Sequence, residues 1–191
     1  MMILFQDRFF PLVCAGGKRQ TIRAPRKDGK LPKPGELLHT GRWTGKPYRS
    51  KVERGPVVIC KGTEPLLMEK LGVRKGIHWL SGPQIGGLAR ADGFEDAEKM
   101  LAWFEGTHGL PFEGWLYEWH WPAARFLPGQ QVRAGDGARL WVREVHWSEE
   151  RGEPVYFLSE RRTGKHGIFE AATAGALEGA EDQAPRVAAA L

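Results

Sequence analysis

The chain has 191 residues, 41% of them hydrophobic and 27% charged, a composition that excludes a disordered or fibrous protein. No apolar run approaches the roughly 20 residues that span a bilayer. The opening MMILFQDRFF has no basic segment and no small-residue cleavage site, so neither a membrane span nor a signal peptide is expected, and a cytoplasmic location is. The net charge of +5 is unevenly placed: residues 1–61 hold 14 Lys/Arg against 4 Asp/Glu, and the remainder holds 14 against 19. A basic end of this kind suits a polyanionic partner, or is a solvated basic loop with none.

In chain order, Asp7 is expected to cap a short helix carrying Phe9, Leu12 and Val13 on one face. Gly16 and Gly17 stop it, and RQTIR begins a strand. Lys18 and Thr21 are three apart, so a turn brings them together; Thr21 and Arg23 are two apart, so an extended strand points them alike. This stretch is read as the wall of a small-molecule or nucleotide pocket. Residues 24–35 form a basic, proline-rich loop, residues 36–43 a strand, and Val57–Cys60 the centre of another. The Gly-rich segment 69–88 gives no clear element. ADGFEDAEKMLAWFEGTHG reads as one long helix, with Phe94, Ala97, Leu101 and Phe104 at helical spacing and Asp92 or Asp96 as its cap. GWLYEWHW is an aromatic strand, in which His120 is expected to be a packed structural residue.

Beyond residue 121 the pattern changes. PAARFLPG (122–128 at its core) reads as a linker. Short β-prone runs then follow at Val132, Leu140–Val145, Val155–Leu158 and Ile168–Phe169, separated by AGDG, ERGEP and RTGKHG. Such spacing predicts a small SH3-like β-barrel over residues 129–180. The Ala-rich tail from Ala171 is expected to start as helix, and residues 181–191 to be flexible. Cys14 and Cys60 lie in apolar surroundings and are expected to be reduced core thiols. The scattered histidines match no zinc spacing, so no metal or other cofactor is expected.

Residues 1–121 resemble the ASCH family. FQDRFFPLVCAGGKRQTIR is similar to its opening helix and G-x-K-x-x-T-x-R signature. KPGELLHTGRW resembles its next strand, with Gly35-Glu36 where the family usually has Gly-Asp. LARADGFEDAEKMLAWF resembles its helix entrance, and GWLYEW its closing strand. The resemblance implies an α+β, mainly β fold: a PUA-like β-barrel with flanking helices. PUA domains bind RNA, and some small bacterial family members are amidohydrolases that deacetylate N4-acetylcytidine. By motif match their catalytic set falls on Lys18, Thr21 and Asp92, with Asp92 one methylene shorter than the family's Glu.

Amide hydrolysis needs a nucleophile, a base and an acid for the leaving amine. Thr21 would attack or position water, Lys18 would be the base if desolvation keeps it partly neutral, and Asp92 would shuttle the proton. The bland alternative is a Lys18–Asp92 ion pair that catalyses nothing. Arg23 and Arg42 suit phosphate or carboxylate. Trp43 either stacks on a base or closes the barrel, while Lys27, Lys30 and Lys33 are either diffuse phosphate contacts or a solvated loop. Three readings stand: a domain binding RNA or a modified nucleoside or nucleotide, an amidohydrolase of N-acylated pyrimidine nucleosides, and a protein–protein interaction module.

Overall fold

The structure, a computed structural model, describes residues 1–160 and 168–179. Its elements run β1 (Met2–Phe5), α1 (Phe10–Cys14), β2 (Gln20–Arg23), β3 (Leu37–Trp43), β4 (Val52–Glu69), β5 (Gly72–Lys75), β6 (His78–Trp79), α2 (Gly82–Ala91), α3 (Ala97–His108) and β7 (Phe112–Trp119). Then follow β8 (Gln131–Ala134), β9 (Arg139–Ser148), β10 (Glu153–Ser159), β11 (Ile168–Thr173) and β12 (Leu177–Gly179). The fold is thus α+β and mainly β. Contacts cluster in two units, Met1–Ala123 and the residues from Ala124 onward.

The first unit is organised by β4, an 18-residue strand with two sets of partners. Its first half pairs with β3 (Leu37 opposite Ile59), and β3 carries β1 in parallel. Its second half pairs with β7 from Cys60–Trp119 to Met68–Phe112, and β7 carries β2. The register shifts between Cys60 and Gly62. A bulge of this kind bends a strand and lets one strand serve two partners. β5 and β6 extend the sheet beyond the end of β4. No ladder joins β1 to β2, and among the described residues neither sheet closes into a barrel. The core of this unit includes Val13, Leu38, Val58, Met68, Val73, Met100 and Leu116, each fully buried.

Several expectations change here. β1 was not anticipated from MILF. Asp7 does not cap α1: Phe9 occupies the cap position without a side-chain bond, and Asp7 instead accepts from Arg42 at 3.3 Å. Leu12 is exposed, and Phe9, Phe10 and Val13 form the buried face. Cys14 is exposed rather than a core thiol, while Cys60 is buried. Of the helix expected over residues 91–109, Ala97–His108 is helical, while Ala91 ends α2 and residues 92–96 lie between the two helices. Gly93 at φ +88° breaks the chain after Asp92, and a Cβ there would lie 3.0 Å from the Phe9 ring. α3 begins afresh, with Asp96 accepting from the Lys99 N–H at 2.8 Å. α2 gives no clear signal in the sequence because Gly82, Gly86 and Gly87 are poor helix formers. It is sustained by its setting: Pro83 in the first turn, Gln84 accepting from the Ser81 N–H, and buried Leu88 and Ala89.

The second unit is a five-stranded antiparallel sheet, in the order β11-β10-β9-β8-β12. Val132, Val142, Tyr156, Leu158 and Leu177 are buried in it. The Tyr156 hydroxyl accepts from the Arg125 N–H at 2.8 Å. The expected helix after Ala171 is instead the end of β11, a 3-10 turn at Ala174–Ala176, and β12. The expected flexible segment 181–191 lies outside the described residues.

Gly16 sits at φ +73°, and a Cβ there would fall 2.3 Å from the Trp121 ring. Left-handed strain and overpacking act together, so Gly16→Ala is expected to cost about 2–4 kcal/mol. Urea unfolding reads this directly, and a variant as stable as the wild type would mean that Trp121 is free to move aside.

Candidate functional site

Leu12 lies in α1, and its carbonyl accepts from both the Gly17 and the Lys18 N–H groups, at 2.9 and 3.0 Å. With Gly16 left-handed, this turn carries the chain from α1 into β2 and puts the Lys18 side chain inside, only 1% exposed. Its ammonium donates to Asp92 Oδ1 at 2.7 Å and also to the Asp92 carbonyl. It lies 4.9 Å from the Phe9 ring centre. Asp92 is not at the start of the long helix, as expected, but at the C-terminal cap of α2. The helix dipole therefore does not favour its charge. Lys18 and the Ile22 N–H, which reaches Oδ1 at 3.1 Å, take that part. Gln20 ties β2 to α2 by donating to the Leu88 carbonyl at 3.1 Å.

Burial works against both charges. It lowers the Lys18 pKa to about 8, with Asp92 opposing the shift. It also raises Asp92, opposed by Lys18, the Ile22 N–H and Arg23. Both partners are displaced toward their neutral forms, as expected of an ion pair taken out of water.

Thr21 is buried, and its strand register sets it directly opposite Tyr117, so the two side chains share a face. The Thr21 hydroxyl has no hydrogen bond among the described residues. Arg23, on the same strand, donates through Nη2 to the Leu4 carbonyl at 2.6 Å. It thereby bridges β2 to β1 where no ladder forms. Its guanidinium lies 5.1 Å from the Phe5 ring centre. The Arg23 Nε and the Tyr117 hydroxyl are both buried without a hydrogen-bond partner. Burial pushes the Tyr117 phenol up, and Arg26 and Arg23 oppose this.

These groups line one cavity of about 350 Å³, within the size range of small-molecule sites. Lys18, Thr21, Arg23, Asp92 and Tyr117 supply its polar groups. Phe9, Phe94, Trp103 and Phe104 supply apolar wall, and β1 contributes from Met2 to Phe5. Arg26 and His108 are exposed lining residues. Trp119 Nε1, also buried and unpartnered, does not line it.

No family model, curated protein or solved structure matches the chain.

The remaining residues singled out from the sequence lie elsewhere. Arg42 faces Glu53 across the β3–β4 ladder and binds it at 2.7 Å, with Asp7 on its other side. Its guanidinium is thus already neutralised. Trp43 packs on Tyr48, ring centres 5.4 Å apart. Lys27, Lys30 and Lys33 are exposed on the loop before β3, and none lines the cavity. Tyr117, Phe94 and Trp103 were not anticipated as site residues. Alternation in GWLYEW marks Tyr117 as sharing a face with Trp115 and Trp119, but only the β2–β7 register shows that it meets Thr21. Among the described residues no group of three or more His, Cys, Asp and Glu is placed to hold a metal, and no helix is long and apolar enough to cross a membrane.

Proposed function

We propose that residues 1–121 are an ASCH-type, PUA-like domain, opened between β1 and β2, whose cavity takes the base of RNA or of a modified pyrimidine nucleoside or nucleotide. The second unit is proposed as an SH3-like module. One observation carries the reading: Lys18, Thr21 and Asp92 converge in a cavity with two further polar atoms that lack partners, the Tyr117 hydroxyl and the Arg23 Nε. A buried polar group without a partner costs stability, and a ligand that hydrogen-bonds to it recovers that cost. Aromatic side chains along the same wall suit a planar base. Calorimetric titration of the full chain with cytidine, N4-acetylcytidine and short oligocytidylates tests this. No heat from any of the three would end the nucleobase reading.

Amide hydrolysis is the second reading, favoured specifically by Lys18. A neutral lysine amine has two hydrogens and one lone pair. The Asp92 carboxylate and carbonyl accept both hydrogens, which leaves the lone pair to take a proton. Thr21 would attack the acyl carbonyl directly and pass its proton to Lys18, which then protonates the leaving amine. Water would hydrolyse the resulting ester and regenerate Thr21. The bland reading of the pair, as structure alone, predicts binding without turnover.

The loop lysines bear on RNA rather than on the cavity. If Lys27, Lys30 and Lys33 each contact a phosphate, replacing all three by Ala should reduce the slope of log affinity against log salt by about 2 on single-stranded RNA. An unchanged slope would assign them to solvent.

A further inference from the structure

The cavity contains more positive than negative charge. Lys18 and Arg23 both line it, and Asp92 is the single carboxylate among the lining residues. Lys18 binds Asp92 through both the side-chain Oδ1 and the backbone carbonyl. Arg23 donates to a peptide carbonyl, that of Leu4. Its Nε is shielded from solvent and bonded to nothing. Arg23 is half-buried, and a cation withdrawn from water with no carboxylate in contact is costly unless something else supplies the charge.

Tyr117 is 2% exposed, lines the same cavity, and has an unpartnered hydroxyl. Because Tyr117 is opposite Thr21 and Arg23 is opposite Trp115, Tyr117 and Arg23 are diagonal neighbours across the β2–β7 ladder. Long side chains at that offset reach a common point. Two unpartnered donors therefore serve one wall, an N–H that can only donate and a hydroxyl that can donate. Thr21, opposite Tyr117 and two residues before Arg23 on the same strand, adds a third donor, its hydroxyl.

We infer that Arg23 and Tyr117 form an oxyanion subsite inside the cavity, so that the ligand is a free mononucleotide whose terminal phosphate supplies the missing counter-charge. This rests on the nucleobase reading for the base, but not for the anion. A terminal phosphate or a carboxylate meets the same donors. An internal phosphodiester continues as chain on both sides, and the burial of Thr21 and Tyr117, 4% and 2% exposed, favours a phosphate that ends the chain.

The test uses the full chain and compares cytidine, cytidine 5′-monophosphate, inorganic phosphate, acetate and a tetracytidylate without terminal phosphates. Calorimetry and thermal shift are the readouts. The monophosphate is expected to bind at least tenfold more tightly than cytidine, and inorganic phosphate to raise Tm by itself. Tyr117→Phe, which removes one oxygen and keeps the ring, should weaken monophosphate binding about tenfold or more without lowering Tm. Arg23→Met should abolish the preference for the monophosphate. A response to acetate but not to phosphate would reassign the site to carboxylates and overturn the mononucleotide. Equal affinity for cytidine and its monophosphate, with no response to phosphate, overturns the subsite and leaves the nucleobase reading standing. A response to phosphate with no added affinity from cytidine supports the subsite and overturns the nucleobase reading. Tetracytidylate binding as tightly as the monophosphate overturns the inference in favour of a strand.

Discussion

Lys18→Met is expected to lower the unfolding free energy by about 3–5 kcal/mol, a large part of a typical domain's margin. The reason is what remains behind. Asp92 is 4% exposed, and Lys18 forms its salt bridge. Without Lys18, the carboxylate either stays charged and unpaired or takes up a proton. Burial already raises its pKa, and losing the ammonium raises it further. The sign follows from linkage: a carboxyl whose folded pKa lies above its unfolded value binds more protons when folded, so stability falls as pH rises through that window. The deficit of Lys18→Met should therefore shrink on acidification toward the ordinary carboxylate pKa. Lys18→Met combined with Asp92→Asn should recover most of the loss, because the amide oxygen still accepts from the Ile22 N–H and no charge is stranded. Urea unfolding of the two variants at neutral and mildly acidic pH measures all of this. A single variant as stable as the wild type at neutral pH would show that water reaches Asp92.

On the hydrolase reading, turnover of N4-acetylcytidine is expected to rise with pH through about 8, the value to which burial lowers Lys18. The neutral amine is the base, and at pH 7 about a tenth of it is in that form. Thr21→Val is the decisive variant. Valine has the shape of threonine, and Thr21 makes no hydrogen bond that the change would break, so Tm should hold. Turnover should fall about 10²–10⁴-fold. A rate that is flat in pH, or insensitive to Thr21→Val, would remove Lys18 and Thr21 from the chemistry. Binding without turnover at any pH would leave the cavity as a receptor.

The basic first third, the strand at Gln20–Arg23, the loop after it, the β3 strand and most of the short strands beyond residue 130 were legible in the sequence. Their signals are local: glycine at a helix end, β-branched runs, and turn residues at fixed spacing. Lys18, Thr21 and Arg23 were legible as a group because three- and two-residue offsets fix directions within one element. The tertiary structure decided the rest. Asp92 looked like the entrance to a long helix, because a hydrophobic period of 3.6 continues through ADGF. Gly93 and the close approach of Phe9 break that helix, and so Asp92 ends α2 instead. Arg42 carries the same chemistry as Arg23, yet its cross-strand neighbour is Glu53, and only pairing register reveals that neutralisation. Tyr117 became a site residue by the same route, through its place opposite Thr21. A sequence states what each residue can do. Register and helix breaks, set by contacts between residues far apart in the chain, decide which of those residues face one another.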